Sequence, residues 1–188
     1  GFTINGKTSA DRDREKVVKL NDEMNRARKL LPERFGEDPE KEAKACVDAE
    51  APLPKIRKEL PKYDADKRAF EQANQNLASL DVDIAQCKIA AATGAAVKKV
   101  ADQHDQGRSA PDADIQAMKD ATAKFTKEAD KGWAKTAKFF ADRSDKFSAE
   151  NATVAQRFGQ EQEAKAKREA EKKAEAERKA LQEKTREA

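Results

Sequence analysis

Residues 70–91 read FEQANQNLASLDVDIAQCKIAA, and the apolar members Phe70, Ala73, Leu77, Leu80, Ile84, Cys87 and Ala91 recur at steps of three and four. That spacing lines one face of an α-helix; a strand, whose period is two, would scatter the same residues over both faces. Val97, Val100 and His104 continue the stripe after a phase shift at Gly94. One helix is therefore expected from about Tyr63 to His104, roughly 60 Å long at 1.5 Å per residue.

Upstream, Val17, Leu20, Met24, Ala27 and Leu31 form a second stripe, ended by Pro32 and opened by an N-cap at Thr8 or Ser9, with Asp11, Asp13 and Glu15 near the positive end of the helix dipole. Downstream, residues 106–112 (QGRSAPD) form a turn that should reverse the chain. A third stripe follows, through Ile115, Met118, Phe125, Ala129, Trp133, Thr136, Phe140, Phe147, Val154 and Phe158, and predicts one continuous helix from Asp112 to Phe158. Three such stripes bury one another when packed together, so the expected fold is all-α: an elongated antiparallel three-helix bundle over residues 1–158. No self-similarity along the chain supports a tandem repeat array.

Between the first two helices, residues 32–61 are punctuated by Pro32, Gly36, Pro39, Pro52, Pro54 and Pro61. Asp38-Pro39-Glu40 reads as a cap, an N1 proline and an acidic first turn, opening a short helix with Cys46 and Val47. The segment is expected to stand at one end of the bundle as a Pro-rich head, with Phe35, Val47, Leu53, Ile56 and Leu60 as candidate interaction residues. Residues 159–188 contain almost nothing but Ala, Glu, Lys, Arg and Gln, with Leu181 the one large apolar residue. Glu161/Lys165, Glu163/Lys167, Glu169/Lys173 and Glu175/Lys179 are ion pairs at helical spacing, so this stretch reads as a charged helical stalk with no core.

Composition narrows the function. Of 188 residues, 40% are charged and 37% hydrophobic, with 39 basic against 36 acidic side chains, a net charge of +3. The signs are interleaved: Lys165-Ala166-Lys167-Arg168 and Arg178-Lys179 are flanked by Glu, so no basic stripe for nucleic acid is expected. No apolar run approaches the ~18 residues needed to span a bilayer. The start at Gly1-Phe2-Thr3, without Met, reads as a trimmed chain whose targeting segments lie elsewhere.

Catalytic chemistry finds few candidates, and no enzyme activity or cofactor is expected. His104 is the single histidine and is expected to cap or be solvated at a helix end. With Cys46 and Cys87 it supplies too few ligands for zinc. Asp81, Asp83, Asp102 and Asp105 show no paired geometry, and the glycines are isolated, so no phosphate loop is present. Trp133, Phe139 and Phe140 are expected in the core, with Gly132 marking a close helix approach. Cys46 and Cys87 would pin the inserted segment to the long helix as a disulfide in an oxidising compartment; the alternative is two reduced buried thiols. Asn151-Ala152-Thr153 matches the N-glycosylation acceptor pattern, a short motif that chance often supplies.

A Glu/Ala/Lys-rich helical hairpin with an inserted cysteine-bearing segment, Ala90–Ala96, Asp130-Lys131-Gly132-Trp133, the pair Cys46 and Cys87, and a charged helical exit together resemble the surface glycoproteins of African trypanosomes. Within that group the glutamic acid/alanine-rich proteins are most similar, with the haptoglobin-haemoglobin receptor and the variant surface glycoproteins as relatives. The resemblance implies a GPI-anchored coat protein standing on the cell surface, C-terminus near the membrane and head outward. Arg186-Glu187-Ala188 carries no hydrophobic anchor signal, so membrane attachment would come through an anchor outside this sequence. Expected partners are neighbouring coat molecules and, at the head, a host protein or antibody. Two other functions fit the same residues: a receptor or adhesin acting through the head, and an intracellular coiled-coil adaptor acting through residues 160–188.

Overall fold

The computed structural model describes residues 3–4 and 6–187, so the Gly1-Phe2 start lies outside the described residues. The chain is all-α apart from a two-stranded antiparallel ladder, β1 (Thr3–Ile4) with β2 (Lys7–Thr8). The helices are α1 (Ser9–Leu30), α2 (Pro39–Glu50), α3 (Leu53–Glu59), α4 (Lys67–Asp105), α5 (Asp112–Glu128), α6 (Ala134–Glu150) and α7 (Val154–Glu187).

Local chemistry sets the boundaries. Thr8 caps α1 through a reciprocal capping box with Asp11: the Thr8 Oγ1 accepts from the Asp11 N–H, and the Asp11 carboxylate accepts from the Thr8 N–H. Asp38 caps α2 ahead of Pro39, and Asp66 caps α4 by accepting from the Ala69 N–H. Gly107, at φ +75°, ends the turn after α4, where the left-handed region suits a residue without Cβ.

The 39-residue α4 is the spine. Arg14 reaches Asp66 and Arg28 reaches Asp83, so α1 runs parallel to the first half of α4. Gly36 lies against Gly94, Cys46 is bonded to Cys87, and Arg57 pairs with Asp81, so residues 36–59 return antiparallel along α4. The Pro32–Pro61 segment is therefore a packed part of the body and not a terminal head. Its apolar residues form a helical stripe of their own, and Pro39, Pro54 and Pro61 sit in first turns of helices, where a missing N–H costs nothing. One core gathers Leu20, Met24, Leu53, Ile56, Leu80 and Ile84 from α1, α3 and α4.

The second half of α4 carries another core with Val97, Val100, Met118, Phe125, Phe140 and Phe147. Here the structure departs from the continuous third helix. The helix stops at Glu128, Ala129 takes extended backbone (ψ 124°), and a 3-10 turn at Lys131–Trp133 leads into α6, which runs back beside α5. Gln86 of α4 holds the reversal: its Nε2 donates to the Glu128 carbonyl at 3.0 Å and its Oε1 accepts from the Asp130 N–H at 3.1 Å. Two helix trios thus share α4, with Leu31 packed against both cores.

Past Val154, every residue of α7 to Glu187 is exposed. Of the four ion pairs expected in this stretch, Glu175 with Lys179 is the one formed among the described residues, at 3.7 Å. No helix is long and apolar enough to cross a membrane among the described residues.

Candidate functional site

The two cysteines meet as expected. Cys46 and Cys87 form a disulfide with Cα atoms 5.8 Å apart, tying α2 to the middle of α4 where the two cores join.

The residues expected to form an interaction head do not make a surface. Leu53, Ile56 and Leu60 are 0%, 0% and 1% exposed, and Phe35 is wedged beside Trp133 with ring centroids 5.5 Å apart. Burial of these side chains is what holds α3, the turn after it and the loop before α2 to the body. Val47 alone of the five stays open, at 57%, beside a shallow groove formed with Ala43, Ala92 and Ala95.

Asn151 has a structural task. Its Oδ1 accepts from the Ala110 N–H at 2.8 Å and its Nδ2 donates to the Ala110 carbonyl at 3.1 Å, which fixes the amide orientation. The His104 Nε2 lies 2.9 Å from the same Oδ1 and so carries the proton, while its Nδ1 is buried without a partner and its ring edge meets Phe147. His104, expected to be a solvated or capping residue, instead ties the end of α4 to Asn151 after α6, and Asn151 holds the 106–111 turn.

One concavity was not anticipated from the sequence. A groove of about 580 Å³ lies between the 34–37 loop, the second half of α4 and α6. Two glycines shape it. A Cβ on Gly94 would lie 3.2 Å from the Phe140 ring and 3.4 Å from the Gly36 Cα, and one on Gly36, at φ +107°, would lie 3.1 Å from Phe140. Backbone thus meets backbone, and the Phe140 ring fills the seam. The loop is pinned by Glu42, whose carboxylate oxygens each accept one backbone N–H, from Gly36 and Asp38, both at 2.8 Å.

Phe140 is buried in the groove floor, whereas Phe139 stands 49% exposed at its edge, contrary to the expectation that both are core. The Arg143 guanidinium stacks over Phe139 and Phe147, 5.4 and 5.1 Å from their centroids. Lys98 bonds Asp102 at 2.6 Å, and this bond, with the further carboxylates of Asp38 and Asp105, holds its ammonium above the usual lysine range. Arg34, Lys135 and Arg143 have no carboxylate at ion-pair distance among the described residues. No cluster of three or more His, Cys, Asp or Glu is placed to hold a metal among the described residues.

No protein-family model, curated protein or solved structure matches the chain.

Proposed function

We propose that this chain is a non-enzymatic rod of the cell surface, a coat protein in the manner of the trypanosome surface glycoproteins it resembles, with α7 as its spacer. The observation that carries this reading is α7 itself. A helix of 34 residues leaves the body and, beyond Phe158, is exposed to its end at Glu187. Interleaved Glu and Lys keep such a helix soluble without a strong field, which suits close packing of like neighbours. The Cys46–Cys87 bond supports an oxidising compartment, because cytosolic thiols are kept reduced.

In this proposal the elongated layout is a stack of two helix trios on one spine. Membrane attachment would lie beyond the far end of α7, which leaves the body beside the 106–111 turn, and the opposite end of the body, with the Lys7–Thr8 strand and the Lys62–Asp66 connection, would face outward to antibody or host protein. A receptor acting through Leu53, Ile56 and Leu60 loses its contact surface to the core, and an adaptor pairing through α7 has Leu181 as its one large apolar anchor. Acid trapping of thiols in protein taken from its native source tests the compartment. Because both cysteines are buried, alkylation is carried out in denaturant without reductant; complete resistance is expected, and two alkylated cysteines would sink the proposal.

A further inference from the structure

The groove between the 34–37 loop, α4 and α6 has no role in a passive rod, and its chemistry is specific enough to name an occupant. We infer that it binds a small amphipathic anion, a single carboxylate-type head on an unbranched apolar body, through Arg34 and Lys135 at one end and the Phe139–Phe140 wall beyond them.

Charge gives the head its place. At the end formed by the 34–37 loop, Arg34 and Lys135 line the groove with one carboxylate, Glu37, so cations outnumber anions there, and neither cation has an ion-pair partner among the described residues. Toward the other end Asp102 and Asp105 line the rim, with Lys98 already committed to Asp102. An anion is attracted to the first end and repelled from the second, so the head has one favourable orientation.

Shape gives the body its place. From Gly94 to Asp105 the α4 wall runs about 16 Å by helical rise. Val97, Ala101, Phe139 and Phe140 supply apolar surface along it, and Phe139 is half exposed at the groove edge. Arg143, its guanidinium over Phe139 and Phe147, adds an aliphatic stem to that surface. A volume of about 580 Å³ falls in the range of ordinary small-molecule sites. The pinned loop means that little ordering is needed on binding, since Glu42 already fixes Gly36 and Asp38.

This inference is independent of the surface-rod proposal, and its test does not depend on compartment. Monomeric dodecanoate is titrated into the full chain by calorimetry, with dodecyltrimethylammonium as the cationic counterpart and phosphatidylglycerol vesicles as a separate arm. Saturable one-to-one binding of dodecanoate is expected, at least tenfold tighter than the cationic amphiphile. The Arg34→Gln/Lys135→Gln variant should weaken it about tenfold or more, Phe139→Ala should weaken it severalfold, and Lys44→Gln, far from the groove, should not change it. Circular dichroism confirms that the variants, all at exposed positions, are folded. Absence of saturable binding, equal affinity for the two amphiphiles, wild-type affinity in the double variant, or binding to the vesicles alone would each overturn the assignment.

Discussion

Trp133 donates its indole N–H to Asp83 at 2.9 Å, and the other oxygen of the same carboxylate receives Arg28. One half-buried side chain of α4 therefore holds the end of α1 and the start of α6, and so joins the two helix trios. Asp83→Ala removes both bonds and leaves two donors short of an acceptor, a loss of about 1–3 kcal/mol. Urea unfolding should show this as a lower midpoint, and an unchanged midpoint would mean that the joint is ornamental.

Asn151→Gln, the usual substitution for removing a glycan acceptor, should destabilise even protein made without glycans. The longer side chain cannot keep both Ala110 bonds and the His104 contact, and the expected cost is about 1–2 kcal/mol. Thermal melts of unglycosylated wild type and variant decide the point. Identical melting would show that the carboxamide is free for modification.

Acid should weaken the fold through three carboxylates. Asp66 is held below the usual aspartate range first by its hydrogen bond from Arg14, Asp11 by the Thr8 N–H, and Asp114 by the Gln103 amide. A depressed folded-state pKa means that the unfolded chain binds more protons, so this stability is present above about pH 4 and is lost as pH falls below it. The urea midpoint should fall between pH 5 and 3, and less steeply in Asp66→Asn. A midpoint constant across that window would remove these pairs from the stabilising interactions.

Deleting residues 159–188 should leave the melting temperature of the body unchanged, because nothing packs on α7 after Val154 apart from Phe158 over Gly107. The maximum dimension from small-angle scattering should shrink by up to about 45 Å, the helical rise of the removed residues. A lower melting temperature would show that the helix folds back on the body.

Much of this fold was written locally. The capping box at Thr8, the Asp38-Pro39 start, the α4 stripe and the turn at Gly107 each depend on neighbours within a few residues, which a linear reading can see. The break after Glu128 was hidden for the opposite reason. No proline marks it, the stripes of α5 and α6 happen to join in phase, and the bonds that replace the lost helical ones come from Gln86, more than forty positions away. The Pro32–Pro61 segment misled because its prolines look like breaks, although Pro39, Pro54 and Pro61, in first turns, start helices. The groove could not be read at all, since it depends on Gly36 meeting Gly94 under the ring of Phe140.

The surface location is decided by labelling intact source cells with a membrane-impermeant amine reagent and mapping the modified lysines. All six lysines of the exposed helix, Lys165, Lys167, Lys172, Lys173, Lys179 and Lys184, stand free of the body and should be available. A surface rod predicts modification of lysines of the body such as Lys7 and Lys62 on intact cells, to an extent similar to that in lysed cells. Labelling that appears after lysis alone would place the chain inside the cell and contradict the proposal.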